Sequence, residues 1–384
     1  MAKVLIFADS HAQRGAWADY PIYDDALWAL RQIAQLVIDE GVSVVIGCGD
    51  LLDKIVNRAG PPAMLADFDN RLGGVPFYFV QGQHERDDPP WLSLTRAEHI
   101  HGRTITLHDN RKVYGLDCLG PAALAESLAG IPADTDILVA HQMWAEWMGN
   151  IARPQGRLAD VPNVSAVWTG DWHDHRLEAI TAADGRALLV LSPGATCKQA
   201  IDEPDRHGVV IYDTTKPPGQ LDAYRCIWLH SRPVVRVGPI MTEEEAEATV
   251  AGVVGLAADA VLAFAKEVEQ TGLEPPAGLF EPLIRLEYSS AFADLPSRVE
   301  AAFARDEVTA HLFPKVIRGE QSAAVQASTA PTSLTEALPL VLDVAGEPEA
   351  HELAASLLAA GDEYESALNS WRKAYLDDRT TQCA

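Results

Sequence analysis

The chain has 384 residues, 48% of them apolar, enough for two domains with a sizeable core, which excludes global disorder. Its 55 acidic and 30 basic residues leave a formal net charge of −25, which repels nucleic acid at long range and argues against unaided tight binding to it. The 5 cysteines (Cys48, Cys118, Cys197, Cys226, Cys383) are scattered and form no CxxC pair, which excludes a zinc knuckle and a disulfide framework.

In chain order, the first 230 residues alternate short β-rich runs with stretches of helical period. "VLIFAD" is the first run. In "DDALWALRQIAQLVIDEG", Leu27, Leu30, Ile33, Ala34, Val37 and Ile38 recur at helical spacing, with Gly41 as a stop. The runs "VSVVIGCGD", "VPFYFV", "TITLHD", "KVYGLDCLG", "TDILVAH", "VSAVWTGD", "ALLVLSPG", "GVVIYD" and "YRCIWLH" follow, β-branched and aromatic and most of them ending in Gly or Asp, as buried strands do. An α/β class follows, with sheets covered by helices and the later strands more antiparallel. Residues 231–317 read as a smaller α/β unit. It holds a strand at "RPVVRVG", a helix over 242–270 with Thr242 as N-cap and Glu245 at the capping-box position, a strand at "PLIRLEYS", a helix at "LPSRVEAAFA" and an edge strand at "HLFPKVI". Residues 318–333 read as a linker and 334–384 as a helical segment, with Leu353, Leu357, Leu358, Tyr364, Leu368 and Trp371 near helical spacing. With no leader-like N-terminus and no unbroken run of about 18 apolar residues, no membrane span is expected and a reducing, cytoplasmic setting fits.

Five strand ends carry the chemistry: Asp9 and His11 in "FADSH", Asp50 and Asp53 in "GCGDLLD", Gln83 and His84 in "GQHE", His141 in "VAHQ", and Asp171, His173 and His175 in "TGDWHDH". Each alone is ordinary. "DxH" recurs by chance, Asp50 can cap a helix, "GQHE" can be a solvated turn, and a strand-end histidine is commonly structural. Together they put polar side chains just beyond the carboxyl ends of strands, where ligands gather in layered α/β folds. Carboxylates mixed with imidazoles suit Mn, Fe or Zn rather than calcium. Two cations roughly 3.5–4 Å apart are the arrangement used for in-line attack on phosphate. His84, beside the amide ligand, is placed to protonate or stabilise a leaving oxygen. His99, His101 and His108 read as surface residues and Cys48 as core.

The order DxH, GDxxD, GNH[DE], H, GHxH resembles the calcineurin-like metallophosphoesterases over roughly residues 1–230. The resemblance implies a four-layer αββα double-sheet sandwich, here followed by a small α/β capping domain and a C-terminal helical segment, with two divalent cations, Mn2+ foremost. One cation would take Asp9, His11, Asp50 and the second residue of the last motif, and the other Asp50, Gln83, His141 and its first residue. His84 would be catalytic, with Asp53 behind it. Two departures stand out: Gln83 replaces the family's asparagine, and "GDWHDH" replaces GHxH. Aligned without a gap, Asp171 and His173 fill the last motif; with a two-residue insertion, His173 and His175 do. The gapless form keeps Gly170 at the strand end. "VLIFADSH", "AHQ" and "SPGAT" are similar to the nuclease subunit of SbcCD-type DNA-repair complexes. That similarity implies a DNA nuclease, with a homodimer as one arrangement, joined through its C-terminal helices to an SbcC-like coiled-coil ATPase. Arg232, Arg236, Arg285 and Lys315 would then be DNA-backbone contacts of the capping unit. A phosphatase or cyclic-nucleotide phosphodiesterase on the same cations, or a non-catalytic scaffold, are the alternatives.

Overall fold

Alternation along each strand sorts the side chains into layers. The computed structural model describes residues 2–12, 22–53, 60–85, 92, 95–148, 154–162 and 164–317; the expected linker and terminal helices lie outside them. In chain order the strands begin β1 (Lys3–Phe7), β2 (Val44–Gly47), β3 (Phe77–Phe79) and β4 (Glu98–His99). Next come β5 (Thr104–Thr106), β6 (Lys112–Leu116), β7 (Ile137–His141), β8 (Ala166–Gly170), β9 (Arg176–Thr181) and β10 (Ala187–Ser192). The last two of the sandwich are β11 (Gly208–Asp213) and β12 (Tyr224–Trp228). They form two six-stranded sheets, β12-β11-β1-β2-β3-β4 and β5-β6-β7-β8-β10-β9. The middle of each sheet is parallel. Antiparallel pairing is confined to β11 and β12 in one sheet and to β5 and β9 in the other, so the later strands supply most of it.

Val4, Ile6, Val44 and Ile46 face Val113, Val139, Trp168 and Leu191 between the two sheets. Their neighbours Leu5, Phe7, Val45 and Phe77 point the other way, onto Ala29, Ile33 and Val37 of α1 (Ile22–Asp39) and Phe68 of α2 (Gly60–Arg71). On the far side, Leu138, Ala140 and Val190 pack on Leu124 and Leu128 of α3 (Pro121–Ala129) and Trp147 of α4 (Ala145–Met148). This is the αββα sandwich. β4, β9 and helices α2 to α4 were not anticipated. β4 is two residues long and β9 is a half-polar edge strand, so neither carries a clear alternation, while α2 and α3 begin on or beside proline, which suits a first helical turn as well as a loop.

Residues 231–317 add a third sheet, β13 (Val234–Ile240), β14 (Leu283–Ser289) and β15 (His311–Ile317), with β15 and its proline at the edge. The long helix α5 (Glu243–Glu269) opens on the expected capping box: Thr242 Oγ1 accepts from Glu245 N at 3.2 Å and Glu245 Oε2 from Thr242 N at 3.0 Å. Its Val253 and Ala257 pack on Ile284 and Leu286 of the sheet and on Val299 and Phe303 of α6 (Leu295–Arg305). Phe264 and Val268 meet Trp28 of α1. Residues Met1–Val316 form one compact unit. No unbroken apolar run of about 18 residues occurs, as expected. α5 is nonetheless long and apolar enough to cross a membrane by length and composition alone, because the apolar stretch from Ala248 to Ala265 is interrupted only by Thr249 and Asp259. A search for unbroken apolar runs passes over it.

Candidate metal centre

Strand register brings the motifs together. Phe7 aligns with Gly47, Gly47 with Phe79, and His141 with Gly170, so loops from both sheets emerge at one edge. The chain after β1 is pinned to the chain after β2: Asp9 N donates to Gly49 O and His11 N to Asp50 O, both at 3.0 Å. Asp9, His11, Asp50 and Asp171 all have left-handed backbone, with φ of 50°, 40°, 48° and 75°. Such conformations cost about 1–3 kcal/mol each and persist where the surroundings force them, commonly at functional sites. Gly49, at φ 93°, is required for a second reason: a Cβ there would overlap the His141 imidazole.

Two donor clusters lie between the sheets' loops. Asp9, His11 and His173 converge in one, and Asp9, Asp50 and His141 in the other, with the ligand atoms of each within 4.8 Å of one another. His11 Nε2 and His173 Nε2 face each other at 3.4 Å. His141 Nε2 lies 3.3 Å from Asp50 Oδ2 and 2.8 Å from Gln83 Oε1, while Gln83 Nε2 donates to Asp171 Oδ1 at 2.7 Å. The longer side chain of Gln83 therefore reaches the second cluster. Asp171 Oδ2 is buried without a hydrogen-bond donor among the described residues, and Asp50 Oδ2 has the His141 imidazole at 3.3 Å and no better-placed donor there. Buried carboxylate oxygens of this kind are costly, and a cation satisfies them. The donors thus fit divalent cations, with Asp9, His11 and His173 able to hold one and Asp9, Asp50 and His141 another, and Gln83 and Asp171 beside the second; Asp9 is common to both groups, where the resemblance implied Asp50.

The electrostatics agree. Burial raises the Asp9 carboxyl to about 7 against the opposing pull of His141 and His173. Burial would lower His173, but Glu203 and Asp9 outweigh it and hold the imidazole at about 9. Burial pushes His11 down to about 4. Burial also works against Asp50, yet His141, His11 and His84 keep it well below the usual carboxylate range. Protons and cations compete for these same lone pairs.

Residues 2–175, just under half of the chain, match the family model described as calcineurin-like phosphoesterase. Over that region the chain is similar to calcineurin-like phosphoesterases. No curated protein sequence matches the chain. Among solved structures, a dimetal phosphatase from Danio rerio is 15% identical over 55% of this chain and 91% of its own, with a TM-score of 0.40. A Thermus thermophilus protein is 16% identical over 54% of this chain and 93% of its own, with a TM-score of 0.38. The nuclease MPE of Pseudomonas putida is 15% identical over 59% and 87%, with a TM-score of 0.28.

Beside these clusters, His84 Nδ1 lies 2.5 Å from Asp53 Oδ1, and its Nε2 is 3.9 Å from Asp50 Oδ2. Asp53 thus orients the imidazole, and the pair converges with His11 at the same spacing as the two clusters. His175 falls outside all of these groups; its half-buried ring packs edge-on against Trp228, 5.4 Å between centroids. Of the last motif, His173 lies in a donor cluster and Asp171 beside the other, while His175 lies in none among the described residues. Arg232 is corrected outright. It is 4% exposed, and its guanidinium makes a bidentate pair with Asp25 (2.7–3.2 Å) and donates to the carbonyls of Gly278 and Glu281, so it is an internal brace and not a surface contact. Arg236 pairs with Asp205, Arg285 with Asp202 and Glu287, and Lys315 lies within 3.9 Å of both of the latter acids. His99 is also corrected: it lies on β4, stacked on Phe79 and bonded to Asp117, while His101 and His108 are exposed as expected.

Two acids were missed. Glu85 is buried and accepts from Leu52 N (2.7 Å) and Gly82 N (3.2 Å), tying the second motif to the third; burial and then Asp50 raise it to about 8. It stands inside "GQHER", where a glutamate after a metal-binding amide could have been singled out. Glu203, 2.6 Å from His173 Nδ1, lies 30 residues away in sequence and carries no such signal.

Proposed function

We propose that this chain hydrolyses phosphodiester bonds with two divalent cations, and that DNA is its substrate when an ATPase partner delivers it. The observation that carries the hydrolytic reading is the His84–Asp53 pair set beside the two donor clusters. When bound, the cations would supply Lewis acidity and water of lowered pKa at the phosphorus. The chain's own residues do the rest. Asp53 holds His84 through Nδ1, so that Nε2 presents to the leaving oxygen and can give it a proton or a hydrogen bond. The backbone bonds from Asp9 and His11 to the second loop keep the donors of β1 and β2 in fixed relation. Mn2+ suits the mixed carboxylate, amide and imidazole set, and Fe or Zn would fit it as well.

DNA as substrate is supported by the resemblance of "VLIFADSH", "AHQ" and "SPGAT" to SbcCD-type nuclease subunits and by the third sheet that follows the sandwich. The acidity and the ion-paired bases of that sheet mean that an SbcC-like ATPase would supply the basic surface. Those same ion pairs favour a second reading, a phosphatase or phosphodiesterase of small esters. The test is hydrolysis, in Mn2+, of bis-p-nitrophenyl phosphate, p-nitrophenyl phosphate and linear duplex DNA, the last with and without a coiled-coil ATPase. Diester cleavage with ATPase-stimulated DNA degradation is expected. Monoester activity with intact DNA in both arms would establish the second reading instead.

A further inference from the structure

Beyond "SPGAT" the loop between β10 and β11 carries no motif, yet one of its acids reaches a donor of the candidate metal centre. Glu203 Oε1 lies 2.6 Å from His173 Nδ1, and its Oε2 accepts from Gln199 N at 2.6 Å. A carboxylate accepting Nδ1–H fixes the imidazole tautomer and leaves Nε2 as the lone pair, here the atom 3.4 Å from His11 Nε2. The loop is itself held from both sides. Lys198, 4% exposed, donates to the carbonyls of Glu203 (2.5 Å) and Pro204 (2.9 Å) and pairs with Asp205 at 3.0 Å. On the acids flanking Glu203 sit basic residues from all three strands of the third sheet. Arg236 of β13 takes Asp205 in a bidentate pair (2.8 and 3.2 Å), Arg285 of β14 takes Asp202, and Lys315 of β15 lies 3.9 Å from Asp202.

We propose that Glu203 is a positioning residue of the metal centre, and that the third sheet, by clamping Asp202 and Asp205 on either side of it, helps to set the cation affinity at His173. This rests on the reading of His173 as a cation ligand. The third sheet is then part of the hydrolytic centre through its basic residues, and not only an appendage beside it. Carboxylates that orient a ligating histidine are typically worth about 10–100-fold in metal affinity. A clamp acting one step further out has a smaller effect.

The test is Mn2+ titration of the full chain by calorimetry, with Glu203→Ala, Glu203→Gln, Arg285→Ala and His173→Ala variants, together with the imidazole 15N spectrum of the metal-free protein. Glu203→Ala should weaken one cation by about 10–100-fold and leave the other unchanged. Glu203→Gln should recover part of that loss, since its amide oxygen still accepts Nδ1–H. Arg285→Ala should fall between wild type and Glu203→Ala. Recorded above pH 9, where the His173 ring is neutral, its resonances should show the Nδ1–H tautomer in the wild type and a tautomer mixture in Glu203→Ala. If His173→Ala loses a cation while Glu203→Ala binds as the wild type does, the positioning role is overturned and the ligand reading stands. If His173→Ala itself binds both cations normally, the ligand reading fails and the proposal with it. Should Glu203→Ala not fold, the wild-type tautomer and Glu203→Gln decide, and an Nε2–H wild-type tautomer overturns the proposal.

Discussion

His84 is held through Nδ1 by Asp53 at 2.5 Å, and lies outside the cluster that Asp9, Asp50 and His141 form. Its removal should therefore separate chemistry from cation binding. His84→Ala is expected to lower kcat on a phosphodiester by about 10²–10⁴-fold, the usual span for a positioned acid. Mn2+ stoichiometry by elemental analysis should stay at the wild-type value; loss of a cation instead would make His84 a ligand. The titrating groups give a pH prediction. Asp9 and Glu85 are raised by burial to about 7 and about 8, so each favours the fold in its protonated form, a contribution complete below the ordinary carboxylate range and lost as pH climbs through those values. His173, raised to about 9 against its burial by Glu203 and Asp9, contributes below about 6.5 and loses that contribution as pH rises to 9. His11, lowered to about 4 by burial, works the other way, but only between about 4 and 6.5. The Tm of metal-free protein should fall from pH 6.5 to 9, and saturating Mn2+ should flatten that fall by replacing the protons. A Tm that is level across this range without metal would contradict the burial and pairing of these groups.

At the scale of elements, the brace between α1 and the chain leading into β13 is testable. Arg232 and Asp25 are both buried, 207 residues apart in sequence, and the arginine also serves two carbonyls near residue 280. Removing one member of a buried pair leaves the other uncompensated, which typically costs about 3–5 kcal/mol. Arg232→Ala should lower the urea midpoint accordingly, and adding Asp25→Ala should recover part of the loss. A variant of unchanged stability with weakened DNA binding would return Arg232 to the surface role that its sequence position suggested. Strand periodicity and the cap at Thr242 were legible element by element because they depend on neighbours a few residues away. The edge strands β4 and β9 were not, since a short or half-polar strand exists only through its partner.

For the whole molecule, Met1–Val316 is one compact unit, so the sandwich and the third sheet should unfold together. A chain ending at residue 317 is expected to keep the wild-type unfolding midpoint and Mn2+ stoichiometry. We expect it to lose co-purification with a coiled-coil ATPase, because the apolar stripe from Leu353 to Trp371 is the proposed docking segment. A truncated chain that still co-purifies would place docking elsewhere.

The sequence by itself determined the layered α/β class, the five donor-bearing strand ends and the likeness to a phosphoesterase, because alternation and short motifs are local properties. Tertiary structure alone decided which donors converge, that His175 turns to Trp228, that Glu203 stands behind His173, and that the candidate DNA-binding bases are joined to acids. Each of these depends on register and on contacts between residues tens to hundreds of positions apart. No local pattern encodes such a pairing, since a charged side chain carries the same letter whether it faces water or a buried partner.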